Sequence, residues 1–182
     1  MTENAGVTQP ARKRGRGFEL PAPLPVEEMR RIFGYEPDTG RLFWNVTRRG
    51  VGPVGTTAGS PQPNGYMSIM FERQRYQVHV IIWYIVEGEW LPGRIDHEDL
   101  NGMNNRWRNL RKATSQQNGW NVKGRAKSGY KGVYPTPNGK FTARIKVNGK
   151  IINYPSRVTA EEAWHDYCAA ARHHFGEFAR FD

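Results

Sequence analysis

The sequence predicts an α+β protein built from two small units, the second a three-stranded antiparallel sheet packed on one helix. Three observations lead there. The chain has 182 residues with 20 glycines, 12 prolines and a hydrophobic fraction of 37%, which favours many turns and two modest cores over one large core. Near the C-terminus a two-residue alternation of apolar and polar side chains gives way to helical spacing. Between the two units the polar, basic stretch at 122–129 reads as a linker.

Residues 1–24 read as a disordered basic tail, with Arg12, Lys13, Arg14 and Arg16 followed by Pro21, Pro23 and Pro25. A short helix is expected over 26–33, started by Pro25 and ended by Gly34. Asp38-Thr39-Gly40 signals a turn before a strand at Leu42-Phe43-Trp44, and the Gly-, Pro-, Thr- and Ser-rich stretch 50–65 reads as a loop. Tyr66–Phe71 and Tyr76–Val78 are expected to be strands around the turn Glu72–Arg75. The bulky apolar run Val78–Val86 is expected to be a buried helix closed by Gly88.

The C-terminal unit carries stronger local signals. Phe141, Ala143, Ile145 and Val147 alternate with Thr142, Arg144 and Lys146, which predicts a strand with Thr142, Arg144 and Lys146 on its polar face. Asn148-Gly149 predicts a tight hairpin, because both residues tolerate positive φ. Lys150–Tyr154 is the returning strand and Lys131–Tyr134 the first. Thr159 and Glu162 have capping-box spacing. Trp164, Cys168, Ala171 and Phe175 form one apolar stripe, and Gly176 ends the helix. Cys168, the sole cysteine, reads as core, and neither an internal disulfide nor a cysteine-based zinc site can be built.

Charge points to a polyanionic partner. The net charge is +10, and residues 104–131 hold Arg106, Arg108, Arg111, Lys112, Lys123, Arg125, Lys127 and Lys131 with no acid. Such a run suits a nucleic-acid track, with Arg106, Arg108 and Arg111 the candidates nearest the chemistry described next. No apolar run approaches membrane-spanning length, and the N-terminus lacks an apolar signal core, so an intracellular (cytoplasmic) protein without a membrane partner is expected.

Arg94–Asn121 holds the candidate chemistry. Asp96-His97 follows a turn at Pro92-Gly93; Asn109 lies twelve residues beyond His97, and Gln117-Asn118 follows. Phosphodiester hydrolysis needs a base for water, a hard cation for the phosphate and leaving oxygen, and a group that holds the base. Asp96 and Asn118 offer two oxygens to Mg²⁺, with Mn²⁺ an alternative; His97 offers the base, and Asn109 offers to orient its imidazole.

Residues 78–121 resemble the HNH nucleases, in particular phage- and intron-type homing endonucleases. The resemblance rests on Val78-His79, Ile95-Asp96-His97, Asn104-Asn105-Arg106, Asn109-Leu110-Arg111 and Gln117-Asn118. It implies a ββα-metal (HNH) nuclease core within 25–121, with a strand and helix extension on its N-terminal side. In it, Asp96 and Asn118 ligate the metal, His97 is the general base and Asn109 supports it, with His79 a candidate for active-site support. Asn118 stands where the family often has a histidine, and Leu100 where a glycine is frequent.

Residues 130–182 resemble the ethylene-response-factor (APETALA-type) DNA-binding domain. The carriers are Lys131-Gly132-Val133-Tyr134, Lys140–Ile145, Thr159–Ala163 and Phe175–Ala179. That resemblance implies contacts to double-stranded DNA by Lys131, Tyr134, Arg144 and Lys146. Together the two imply a phage-encoded, homing-endonuclease-like enzyme acting in a bacterial host. The single Asp96-His97-Asn109-Asn118 cluster, with no heptad seam, leads to the expectation that it nicks one strand of a preferred site as a monomer on DNA. The competing reading is a DNA-binding regulator with an inactive nuclease half.

Overall fold

The protein is described from a computed structural model, which covers residues 21–47, 50–122 and 126–181. Most of the expected tail, and Lys123 and Arg125 of the expected linker, lie outside the described residues. Residues 21–24 do not belong to a free tail: Ala22 and Leu24 pack on the first core, and the Tyr84 hydroxyl donates to the Leu24 carbonyl at 3.2 Å.

Helix α1 (Val26–Ile32) begins after Pro25 and buries Met29 and Ile32. It ends one residue before the sequence suggests. Phe33 is already extended, and Gly34 lies inside strand β1 (Phe33–Glu36) rather than capping the helix. The reason is a close approach: a Cβ on Gly34 would stand 2.3 Å from the Phe43 ring. Strand β2 (Arg41–Trp44) pairs antiparallel with β1. Gly40 closes their turn at φ +78°, and a Cβ there would fall 2.6 Å from the backbone of Asn105 and Arg106. Any other residue would strain the turn and push away the 101–109 loop.

The stretch 50–65 is more ordered than its composition suggests. Backbone bonds Trp44 N→Thr56 O and Ala58 N→Leu42 O lay it beside β2, and β3 (Ser60–Pro61) joins β4 (Met67–Phe71). Backbone pairing of this kind needs no apolar pattern, so composition does not reveal it. Strand β5 (Gln74–Gln77) completes this sheet, and helix α2 (Val78–Glu87) follows directly. Eight of the ten residues of α2 are buried, and Gly88 caps it in the left-handed conformation. The helix is apolar nearly all round because β4, β5, β6 and α1 all pack against it. Phe33, Trp44 and Phe71 interlock beneath it, with Phe33 and Trp44 ring centroids 4.6 Å apart.

Strands β6 (Ile95–His97) and β7 (Leu110–Lys112) form an antiparallel pair, and helix α3 (Ser115–Trp120) follows. A capping box between Thr114 and Gln117 starts α3. That box satisfies two backbone N–H groups, which a helix this short needs.

The C-terminal unit has strands β8 (Val133–Pro135), β9 (Phe141–Val147) and β10 (Lys150–Asn153) in the order β10-β9-β8, with helix α4 (Ala160–Phe175) packed on β9 and β8. The Asn148-Gly149 turn has φ of 49° and 80°, and the Thr159–Glu162 capping box is formed. Cys168, Ala171 and Phe175 are buried beside Ala143, Ile145 and Tyr167, with Trp164 partly buried at the margin. One expectation fails here: Thr142 is buried rather than on the open face. The chain after β10 turns back along β9, and the Thr142 hydroxyl donates to the Tyr154 carbonyl at 2.7 Å.

The two units touch. Trp120 at the end of α3 stacks on Phe175 at the end of α4, with centroids 4.3 Å apart and planes 18° apart. Among the described residues, no helix is long and apolar enough to cross a membrane.

Candidate active site

Strand β6 delivers Asp96 and His97, and α3 delivers Asn118, to one small cavity of about 140 Å³ lined also by Tyr66, Leu100 and Asn121. The β6–β7 pairing sets Asp96 opposite Arg111 and His97 opposite Leu110. Both acid and base are more than nine-tenths buried.

Asp96 receives two hydrogen bonds and an ion-pair contact on Oδ2. Arg111 Nε donates at 3.0 Å, its Nη2 forms an ion pair at 3.0 Å, and Asn121 Nδ2 donates at 2.8 Å. The Asn118 carbonyl oxygen, by contrast, is buried without a hydrogen-bond partner. A buried amide oxygen left unpaired costs free energy, and Asn118 lines a cavity that also holds a carboxylate. A carboxylate and an amide oxygen are the donor types a hard divalent cation takes. No cluster of three His, Cys, Asp or Glu residues that could hold a metal exists among the described residues. The residues present therefore fit a cation that draws most of its ligands from water and phosphate.

His97 is held differently from the expectation. Its Nε2 lies 3.1 Å from Asn105 Oδ1, so Asn105, not Asn109, contacts the imidazole. Asn109 organises the loop instead. Its Oδ1 accepts from the Asp99 N–H at 3.0 Å, and its Nδ2 donates to Asp99 Oδ1 at 2.9 Å and Asn104 O at 2.7 Å. Burial raises the Asp99 carboxyl pKa, but hydrogen bonds from Asn104, the Asn101 backbone and Asn109 together hold it below the usual range. Burial pushes the His97 pKa down, and Asn105, Asp99 and Asp96 oppose that only in part. The imidazole is thus neutral at neutral pH.

Distant segments brace this loop. The Tyr35 hydroxyl donates to Asn105 O at 2.8 Å, Arg106 Nε donates to Asp38 O at 2.8 Å, and Trp107 N donates to Pro37 O. Leu100, in the turn after Asp99, has φ +63°. A leucine there pays roughly 1–2 kcal/mol that a glycine would not, which explains why glycine suits that position. His79 stands at the site, its ring 4.8 Å from that of His97 and edge-on to it, with Tyr66 5.7 Å from each.

The basic candidates divide. Arg106 and Arg108 are exposed, and so are Tyr134, Arg144 and Lys146. Arg144 lies over the Tyr134 ring at 5.1 Å. Arg144 and Lys146 border a cleft of about 340 Å³ shared with Trp120 of α3. Two candidates are turned inward. Lys131 Nζ donates to the carbonyls of Trp120 (2.9 Å) and Val122 (2.6 Å). Arg111 is spent on Asp96, on the Glu177 carbonyl at 2.9 Å and on the Phe178 ring at 3.9 Å. In both cases, unpaired backbone carbonyls or a buried carboxylate outcompete solvent for the cation.

Sequence reasoning gave no role to Asn105, Asn121 or Tyr66. Asn121 Nδ2 also donates to the His97 carbonyl at 3.0 Å, joining the end of α3 to β6. The available signal was the density of asparagines at 101–121, four of which (Asn104, Asn105, Asn109 and Asn121) bond within the site.

Two comparisons with known proteins found matches. Residues 76–120 match the sequence model of a family described as HNH endonuclease. The chain is also 35% identical over 119 residues to an uncharacterized HNH endonuclease of Acanthamoeba polyphaga mimivirus. That similarity covers 64% of this chain and 62% of the viral relative. No solved structure matches the chain. The two matches support a nuclease, with the matched segment spanning β5 to α3 and hence Asp96, His97 and Asn118.

Proposed function

We propose that the protein is a metal-dependent DNA endonuclease whose β6–β7–α3 segment is a ββα-metal core. One observation carries the reading: Asp96, His97 and Asn118, whose side-chain oxygen is unpartnered, line one small cavity. Asp96 and Asn118 would hold Mg²⁺ or Mn²⁺, which when bound stabilises charge on the phosphate and the leaving oxygen. Asn105 presents its oxygen to His97 Nε2, so that nitrogen carries the hydrogen and Nδ1 keeps the lone pair that takes a proton from water. Asn109 acts through the backbone of the 97–109 loop, which sets where the imidazole stands.

The same reading takes the sheet at 130–182 as an ethylene-response-factor-type DNA-binding domain and the chain as a phage-type, homing-endonuclease-like enzyme acting inside a cell. Tyr134, Arg144 and Lys146 present one cationic and aromatic face to duplex DNA, and Arg106 and Arg108 present another beside the site. One cavity addresses one phosphate, so the monomer nicks. The test is a supercoiled plasmid carrying a cut site, incubated with and without Mg²⁺ and followed in time on a gel. Nicked circles should accumulate before linear DNA. Full activity in excess EDTA would remove the metal. Binding without any cutting would favour a DNA-binding regulator, and linear product appearing directly with second-order protein dependence would favour a cutting dimer.

A further inference from the structure

Beside the catalytic cavity lies a second one of about 360 Å³, lined among others by Arg75, Tyr76, Gln77, His79 and Trp90, and sharing Tyr66, Ile95 and Asn118 with the first. Its volume is in the usual range for a small-ligand site, about 300–1,000 Å³. Two of its lining residues, besides Asn118 already discussed, carry a buried polar atom with no hydrogen-bond partner: Gln77 Oε1 and His79 Nδ1. His79 is only 6% exposed. Such atoms are costly in an isolated fold, and two on residues of one cavity wall point to a ligand that pairs with them.

The chemistry of the wall narrows the ligand. An amide and an imidazole kept neutral by burial offer directional donors and acceptors without charge. Tyr76 and Trp90 stand edge to face with centroids 5.7 Å apart, and Tyr66 adds a third ring. Flat apolar faces combined with neutral hydrogen-bonding edges fit a heteroaromatic ring better than a phosphate, a sugar or an aliphatic chain. Arg75 also lines the cavity and is bonded to Gln62, so it brings a cation to the same wall.

We propose that this cavity receives one nucleobase of the DNA, extruded from the duplex next to the phosphate that is cut. The proposal rests on the endonuclease reading. It adds a base-recognition site built from Gln77, His79, Tyr76 and Trp90, of which His79 also borders the hydrolytic site through its ring beside that of His97. Extruding a base costs a few kcal/mol, less at a mismatch, and enzymes that do so read the base by edge hydrogen bonds and aromatic stacking. The shared wall explains the placement: Asn118 lines both cavities.

The test is a titration of the full chain, labelled for NMR at histidine and tryptophan side chains, with each of the four deoxynucleosides and with deoxyribose 5-phosphate. Saturable millimolar shifts at both His79 and Trp90 are expected with at least one deoxynucleoside and none with the sugar phosphate. Gln77→Phe, which fills the cavity and removes the amide, should abolish them. Gln77 has no side-chain cap bond to α2, so the helix should survive the change, and a thermal melt checks it. Absence of shifts at His79 and Trp90 with all four nucleosides overturns the proposal, as does equal response to the sugar phosphate. Plasmid cutting without those shifts removes the base site and keeps the nuclease. Shifts without cutting do the reverse.

Discussion

The two halves of the molecule treat polar groups in opposite ways. In the N-terminal half Asp96, His97, Asn105, Asn109 and Asn121 are all buried, and each is hydrogen-bonded to another group of the site. In the C-terminal half the sheet leaves Arg144 and Lys146 exposed, and Arg144 lies over the Tyr134 ring. A buried polar network tolerates one arrangement, because each lost bond leaves an unpaired group in low dielectric. An exposed cation keeps its freedom and its hydration, so it is free to meet a polyanion without being fixed in advance. The first half is thus suited to chemistry and the second to association. They meet where Phe178 and Glu177 hold Arg111, the residue that holds Asp96.

This contrast can be broken at its strongest point first. His97→Ala should lower plasmid cleavage about 10²–10⁴-fold, the usual effect of a lost general base, while gel-shift affinity for DNA stays nearly constant. Cleavage at the wild-type rate would take His97 out of the mechanism. Asn105→Ala should cost less, about ten- to a hundredfold in kcat, as expected of a group that orients a working side chain. Its effect should fall on kcat and not on KM, and Asn105→Gln should not restore it, because the longer side chain cannot keep the amide at 3.1 Å from Nε2. If Asn109→Ala proved the more damaging of the two in this way, the imidazole contact would not be what matters.

On the C-terminal side, Arg144→Ala should weaken DNA binding by roughly 1–3 kcal/mol if the guanidinium reads a base, with relaxed preference at one position. A uniform loss across sequences would make it a phosphate contact, and no loss would return β9 to an ordinary solvated strand. The smallest effect expected concerns stability. Burial, with a further contribution from His97, holds the His79 pKa down at about 3 against 6.5. Between those values the unfolded chain binds the proton and the folded chain does not. Stability present above pH 6.5 is therefore lost as the pH falls towards 3. His97, Tyr66 and Arg75 surround or share the His79 cavity, and His97 shifts in the same direction. Urea midpoints at pH 7 and pH 5 should differ less in His79→Phe than in the wild type. An unchanged difference would mean that His79 does not lose its proton on folding.

Several elements were readable from neighbours along the chain. Helix α4 announces itself through Thr159, Glu162 and a stripe at helical spacing, and the β9–β10 turn through Asn148-Gly149. The bulky run of α2 marks a buried helix, and Asp96, His97 and Asn118 are legible as a chemical set. These signals are local: capping, turn chemistry and periodicity act within a few residues. Other features were set by segments far away. β1 and β3 form because partners supply backbone groups, which no side-chain pattern records. Thr142 is buried by the returning chain at Tyr154, and Lys131 and Arg111 turn inward to carbonyls and a carboxylate that folding brings near. The choice of Asn105 over Asn109 for His97 is of the same kind. Several asparagines lie within reach in sequence and share one chemistry, so the selection falls to position. Tyr35, seventy residues upstream, pins the Asn105 backbone with its hydroxyl, and only the packed fold brings those two together.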